Sequence, residues 1–183
     1  MPRVLVPLAA GCEELEAVTI IDLLRRAGVE VVSAGLAPGI VLASRGTQLV
    51  PDTDLDSVLR EDFDMVVLPG GMPGAQHLTD DPRIQALLKR MAEAEKYTAA
   101  ICAAPMALAQ AGLLSGKRAT SFPGVLENLG VSDIVLQTAP VVRDGHVITS
   151  RGPGTAMDFA LELIEILVGA SVRRDVETAL ARS

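Results

Sequence analysis

Short apolar runs with strand character alternate with helical patterns along this chain, and this alternation limits the folds open to it. The strand-like runs cover residues 3–8, 29–34, 64–68 and 97–101, and the helical patterns cover residues 13–27, 82–95, 105–111 and 155–168. Strands joined through helices form crossovers, so the order predicts a mostly parallel sheet covered on both faces. We therefore predict one α/β sandwich domain over residues 1–183, with hairpins at 40–50 and 141–150.

Composition excludes several classes of partner. The formal net charge is −7, aromatic residues make up 2% of the chain, and there is no basic run, so we expect no nucleic-acid partner. No apolar run is as long as a membrane span, so we expect no membrane contact. Two cysteines far apart in sequence form neither a disulfide framework nor a metal-ligand pattern, so we expect no metal and a reducing cytoplasm.

The strand at 97–101 stops at Cys102, and Ala103, Ala104 and Pro105 lead directly into the next helix. Small residues on both sides of a cysteine are typical of a sharp strand-to-helix turn that presents a nucleophile at the sheet edge. Unpaired N–H groups at the start of that helix favour a thiolate. The alternative is a structural cysteine, since free cysteine is among the most buried residue types. This stretch alone supports both interpretations equally.

Two other segments are expected to reach the same edge, namely residues 11–16 after the first strand and the glycine pair after the strand at 64–68. Gly70 and Gly71 follow the strand at 64–68, and parallel strands place their carboxyl ends together. The N–H groups of Gly71 and Ala103 would then form a two-donor oxyanion hole. A tight turn alone also explains paired glycines.

The helix dipole is sufficient to explain the acidic residues Glu13 and Glu14 at the start of the first helix. Glu16 differs from them. It stands in a stretch, residues 15–24, that is mostly apolar. A carboxyl group buried there has a raised pKa, stays protonated near neutrality, and can donate a hydrogen bond to a thiolate.

The same helix carries apolar residues on more than one face, namely Ala17, Ile20, Ile21 and Leu24. A helix that covers a sheet needs only one apolar stripe. Either other elements of the chain or a second subunit must cover the excess, and we favour a homodimer interface.

The only histidines, His77 and His146, are far from Cys102 in sequence, and we expect both at the surface. A Cys-His-Asp relay is therefore not evident. Cysteine is the nucleophile that least needs a neighbouring base, so the missing relay disfavours hydrolysis more than other thiol chemistry.

Four segments resemble, in order and spacing, the ThiJ/PfpI superfamily, and most closely its branch that contains the parkinsonism-associated deglycase and bacterial YajL. They are residues 11–16, 68–71, 100–105 and 150–155. The resemblance covers nearly the whole chain. It implies a flavodoxin-like three-layer sandwich, a homodimer through the first helix, and no cofactor.

The resemblance also implies roles for single residues. Cys102 would be a reactive, low-pKa, easily oxidised cysteine, and Glu16 the protonated acid that touches its sulfur. Gly70, Gly71 and Ala103 would form the backbone part of the site. Further expected pocket contacts are Arg45 of the partner subunit, Phe122 and Ser150. Phe122 precedes Pro123 where some members have a histidine, so that proton carrier is replaced.

The activity that the resemblance implies is a cofactor-independent glyoxalase or deglycase. Its substrates would be α-oxoaldehydes such as methylglyoxal, or their early adducts with proteins and nucleotides. The alternative is an oxidative-stress sensor or chaperone that works through oxidation of Cys102 to sulfinate. Ala103 stands where the protease branch has a histidine, so we do not expect a peptidase.

Overall fold

A seven-stranded sheet forms the centre of the computed structural model, which describes residues 1–182. The strands are β1 (Arg3–Leu8), β2 (Glu30–Gly35), β3 (Val41–Leu42), β4 (Gln48–Leu49), β5 (Thr53–Asp54), β6 (Met65–Leu68), β7 (Tyr97–Ile101), β8 (Arg118–Ala119), β9 (Val135–Leu136), β10 (Val141–Asp144) and β11 (Val147–Ser150). The helices are α1 (Glu14–Arg26), α2 (Leu55–Val58), α3 (Gly74–Asp80), α4 (Pro82–Glu93), α5 (Pro105–Gln110), α6 (Ala156–Val168) and α7 (Ala170–Ala179).

The strand order in the central sheet is β10-β11-β7-β6-β1-β2-β5. All neighbouring pairs are parallel except the hairpin of β10 and β11. Strands β3 and β4 form a small antiparallel hairpin, and β8 and β9 form a short parallel pair. The predicted mostly parallel sheet and both predicted hairpins are confirmed.

Each face of the sheet has its own apolar core, because side chains alternate along a strand. In β1, Val4 and Val6 point into the core shared with α1, α6 and α7. Leu5 points into the other core, which contains residues of α2, α3, α4 and α5. The predicted three-layer α/β sandwich is confirmed. Among residues 1–182, no helix is both long and apolar enough to cross a membrane.

The strand order reverses next to β1. The chain passes from β1 to β2 on one side and later returns to β6 on the other. A reversal of this kind leaves a crevice beyond the carboxyl ends of the two strands. The loops that follow β1 and β6 meet there, since the Glu13 N–H donates to the Gly70 oxygen at 2.8 Å. Strand β7 lies next to β6, so its carboxyl end opens on the same crevice.

The apolar excess of α1 has a different cause from the one we favoured. Ala17, Ile20 and Leu24 are fully buried within the single chain, in the core that α1 shares with α6. Burial beneath other elements therefore explains these three residues, and the inference of a dimer from them was wrong, whereas Ile21 is partly buried against the same core. The apolar side chains of α1 that remain half-exposed are Leu15 and Val18. The homodimer itself stays a prediction.

Candidate active site

Cys102 occupies a strained backbone position directly after β7. Its φ is 64°, in the left-handed region that non-glycine residues rarely adopt. Neighbouring segments hold both of its backbone groups, because its N–H donates to the Ser150 oxygen at 3.0 Å and its oxygen accepts from the Phe122 N–H at 2.8 Å. The residue is 9% exposed and packs at the end of the core that α1 and α6 share.

Two backbone N–H groups face the Cys102 sulfur. Those of Gly71 and Ala103 lower the pKa of the thiol and so favour its ionised form. These are the two donors that the sequence suggested for an oxyanion. In the resting site they are directed at the sulfur itself, where they would stabilise negative charge.

Glu16 places a carboxyl group inside the protein with incomplete partners. Its residue is fully buried, and its Oε2 accepts a hydrogen bond from the Gly70 N–H at 2.8 Å. Its Oε1 has no hydrogen-bond partner among the described residues. Burial raises the pKa of this carboxyl to about 7, although the Gly70 N–H and the Cys102 thiol oppose the shift. The group is therefore partly protonated near neutral pH.

Gly70 brings Glu16 and Cys102 together. A Cβ atom at this position would lie 2.6 Å from the Cys102 Cβ and 2.8 Å from the Glu16 Oε2. Only a residue without a side chain leaves room for both groups at this point. The cysteine and the carboxyl therefore meet across the backbone of the loop that follows β6.

Burial, followed by the negative charge of ionised Glu16, raises the pKa of the Cys102 thiol to about 12. The low thiol pKa that the resemblance implies was therefore wrong for this site, because burial and the Glu16 charge outweigh the two amide donors. The thiol and the carboxyl titrate as one coupled pair. Between about pH 7 and pH 12 the pair holds one proton and one negative charge.

The position of that proton decides whether the site is nucleophilic. When the sulfur carries the negative charge, three donors stabilise that charge: the Gly71 N–H, the Ala103 N–H and the protonated carboxyl of Glu16. When the Glu16 carboxylate carries the charge, two donors stabilise it, the Gly70 N–H and the Cys102 thiol. The raised thiol pKa keeps the proton mainly on sulfur in the resting site, and these donors stabilise the form in which Glu16 has taken it.

The remaining predicted contacts differ in position. Phe122 is half-exposed and lies beside the elbow. Ser150 is fully buried, and its Oγ donates to the Pro140 oxygen at 2.7 Å, so it fixes the loop instead of facing a ligand. Arg45 is exposed in this chain, and its N–H donates to Glu14 at 3.0 Å. A role for Arg45 of the partner subunit stays a prediction.

Neither histidine lies in the site. His77 and His146 are both exposed, as predicted. His77 Nδ1 lies 3.0 Å from the Ala10 oxygen, and the His146 ring lies 5.0 Å from that of Tyr97. Within residues 1–182, no three potential metal ligands of the His, Cys, Asp or Glu type form a cluster.

Cys12, the second thiol, is fully buried. Burial raises its pKa to about 11, which keeps the thiol protonated. A protonated, buried thiol is a poor nucleophile. Cys12 is therefore a packed residue of the core.

Sequence analysis missed one residue of the site, Gly152. A Cβ atom there would lie 3.2 Å from the Phe122 ring and 4.0 Å from the Cys102 sulfur. Its segment, residues 150–155, carried a recognisable motif, but nothing in the motif indicated which residue approaches the thiol.

Two large grooves lie away from this site, one of about 460 Å³ beside Leu59 and Leu87 and one of about 560 Å³ beside Gly28 and Val176.

Comparison with known proteins identifies relatives that match most of this chain. A model of the DJ-1/PfpI family matches residues 2–166. The Drosophila melanogaster protein dj-1beta is 44% identical over 177 residues, which is 96% of this chain and 95% of that protein. The Caenorhabditis elegans glutathione-independent glyoxalase DJR-1.2 is 36% identical over 157 residues, covering 86% of this chain and 83% of that protein.

Solved structures match equally well. The crystal structure of Drosophila melanogaster DJ-1beta superposes with a TM-score of 0.96 at 42% identity, covering 100% of this chain and 98% of that one. The structure of oxidized Toxoplasma gondii DJ-1 superposes with a TM-score of 0.95 at 38% identity, covering 100% of both chains. These matches confirm both the resemblance that the four sequence motifs carried and the fold class that it implied.

Glu16 is expected to make stability depend on pH. Its pKa is raised from 4.5 to about 7 on folding, so its stabilising contribution is complete below pH 4.5 and is lost as the pH rises through 7. Between pH 5 and pH 8, we expect the free energy of unfolding to fall by about 2–3 kcal/mol more in the wild type than in Glu16→Gln. Urea unfolding at the two pH values measures the difference.

Glu14→Gln on the same helix is the matched control. Backbone N–H groups, including that of Arg45, outweigh the opposing effect of burial and lower the pKa of Glu14 to about 2. Its titration therefore lies below the tested window, and this variant should keep the wild-type slope. Equal slopes in the wild type and Glu16→Gln would show that Glu16 is ionised throughout.

Gly70→Ala is expected to separate the acid from the thiol, because its Cβ would overlap both Cys102 and Glu16. We expect a loss of about 1–3 kcal/mol in the free energy of unfolding. Gly154→Ala is the control, since a Cβ there meets nothing within 4 Å, and it should change stability by less than about 0.5 kcal/mol. Equal urea midpoints for the two variants would contradict the close approach at Gly70.

Proposed function

The chain belongs to the DJ-1/PfpI family, and we propose that it is a cysteine-dependent, cofactor-independent glyoxalase or deglycase. Its substrates would be small α-oxoaldehydes such as methylglyoxal, or their early adducts with proteins and nucleotides. The observation that carries the proposal is the pairing of Cys102 with the buried Glu16 at a strained elbow. A relative named as a glutathione-independent glyoxalase supports it.

The first step is addition of the thiol to the aldehyde. Glu16 accepts the proton of Cys102, and the thiolate sulfur forms a bond to the aldehyde carbon. The electron pair of the carbonyl bond moves to oxygen, which becomes an alkoxide. As the sulfur loses its charge, the N–H groups of Gly71 and Ala103 can donate to this oxygen instead. The product is a hemithioacetal on Cys102.

The next steps move protons and need no oxidant. Protonated Glu16 returns its proton to the alkoxide, and the resulting carboxylate removes the hydrogen from the former aldehyde carbon. The enediol that forms is reprotonated at the neighbouring carbon, which gives a thioester of a 2-hydroxy acid. Water cleaves the thioester, releases the acid and restores the Cys102 thiol. For methylglyoxal, the overall change is addition of one water to give lactate.

A carboxyl group with a pKa near 7 suits both roles of Glu16, since it must accept and return a proton at neutral pH. A peptidase is not supported, because Ala103 has no imidazole to protonate a leaving amine.

A homodimer through α1 is also part of the proposal. Its support is the half-exposed apolar surface of Leu15 and Val18.

Methylglyoxal turnover tests the proposed reaction. Cys102→Ser should abolish lactate formation, because the nucleophile is lost. Glu16→Gln keeps the side-chain shape but cannot accept a proton, so we expect a loss of about 10²–10⁴-fold in kcat. Lactate is measured enzymatically with purified protein. Cys12→Ala removes only the buried second thiol and should retain activity; undiminished turnover in Cys102→Ser or Glu16→Gln would remove that residue from the mechanism.

The second candidate function is an oxidation sensor or chaperone. It is favoured by the similar Toxoplasma gondii DJ-1, whose structure is of an oxidized protein. A peroxide would oxidise the Cys102 thiolate to sulfenate and a second would oxidise that to sulfinate, each being reduced to water. The Gly71 and Ala103 N–H groups and protonated Glu16 could hold the sulfinate oxygens. Stoichiometric oxidation of Cys102 under graded peroxide, with negligible turnover of methylglyoxal, would favour this candidate.

A further inference from the structure

Phe122 is an aromatic side chain left outside both cores. The other two phenylalanines, Phe63 and Phe159, are 3% and 0% exposed, whereas Phe122 is 48% exposed. Leaving a ring of this size in water forgoes the stabilisation that burial gives. Its backbone is held beside the elbow, because its N–H donates to the Cys102 oxygen at 2.8 Å.

The ring of Phe122 and the reactive sulfur border one small space. Both lie within 4.0 Å of the point where a Cβ of Gly152 would stand, at 3.2 Å and 4.0 Å respectively. Gly152 is extended, with a φ of 168°, so its backbone does not require glycine. The missing side chain therefore lets the Phe122 ring lie close to the elbow, within reach of a group bonded to the sulfur.

We propose that Phe122 directs this site toward α-oxoaldehydes that carry an aromatic or bulky apolar group, an inference that rests on the glyoxalase function proposed above. Once the aldehyde carbon is bonded to Cys102, the substituent on the neighbouring carbon begins about 4 Å from the sulfur. This distance lets the substituent reach the half-exposed ring of Phe122. A methyl group buries little surface against the ring, whereas a phenyl group can stack on it.

The ring cannot take part in proton transfer, so its effect is confined to binding of the substituent. Glu16 is the titratable group that contacts the thiol on the opposite side, and Phe122 leaves its role unchanged. Phe122 is thus a specificity-determining residue. Its removal should alter the choice between substrates more than the rate with the smallest one.

The test compares kcat/KM for phenylglyoxal and methylglyoxal, from initial rates, in the wild type and three variants. Phe122→Ala should lower the phenylglyoxal-to-methylglyoxal ratio by about 2- to 10-fold, the value of one aromatic contact. Phe122→Tyr keeps the ring and should keep the ratio within about 2-fold. Gly152→Ala brings a Cβ within 3.2 Å of the ring and should displace it, which should reduce the rate with phenylglyoxal more than the rate with methylglyoxal. Thermal unfolding checks that each variant is folded.

Failure of this inference can be told apart from failure of the proposed function. If methylglyoxal is turned over but Phe122→Ala and Gly152→Ala leave the substrate ratio unchanged, Phe122 does not set the preference. If the wild type turns over neither aldehyde, the glyoxalase proposal fails and this inference fails with it. A ratio that falls in Phe122→Ala and is retained in Phe122→Tyr supports the inference.

Discussion

One proton shared between Glu16 and Cys102 is the interaction on which the site depends. Burial opposes ionisation of both groups, since it raises the carboxyl pKa to about 7 and the thiol pKa to about 12. A lone buried thiol would remain protonated and inert, as Cys12 does. Because the carboxyl can take the proton, the sulfur can carry the charge without a histidine. The Gly71 and Ala103 N–H groups then stabilise that charge.

The fold supplies this pairing through the order of its strands. The acid stands on the helix after β1, the glycine loop follows β6, and the thiol follows β7, and the three strands are adjacent and parallel. No single segment contains the site. The strained φ of Cys102 is maintained because Ser150 at the end of β11 and Phe122 hold its backbone groups. The strain is thus supported by segments far from Cys102 in sequence.

Much of this arrangement could be predicted because it follows from local rules. The alternation of strand and helix patterns indicated the sheet, and the shared carboxyl ends of parallel strands indicated that Glu16, Gly71 and Cys102 converge.

The thiol pKa could not be predicted, since it depends on how deeply Glu16 and Cys102 are buried together. The apolar faces of α1 were assigned to a partner because the sequence does not show that α6 packs on Ile20. Helix α7 was missed because few of its residues are apolar, and Val176 is the one it buries. Gly152 was missed because its importance depends on Phe122, a contact between distant segments.

The pH dependence of Cys102 alkylation by iodoacetamide tests the shared proton most directly. For the wild type, the account predicts two inflections in the rate, one near pH 7, where the pair loses its first proton, and one near pH 12. Glu16→Gln should show a single inflection, because only the thiol remains to titrate. A single inflection near pH 8.5, the value of an ordinary cysteine, in both proteins would contradict the account.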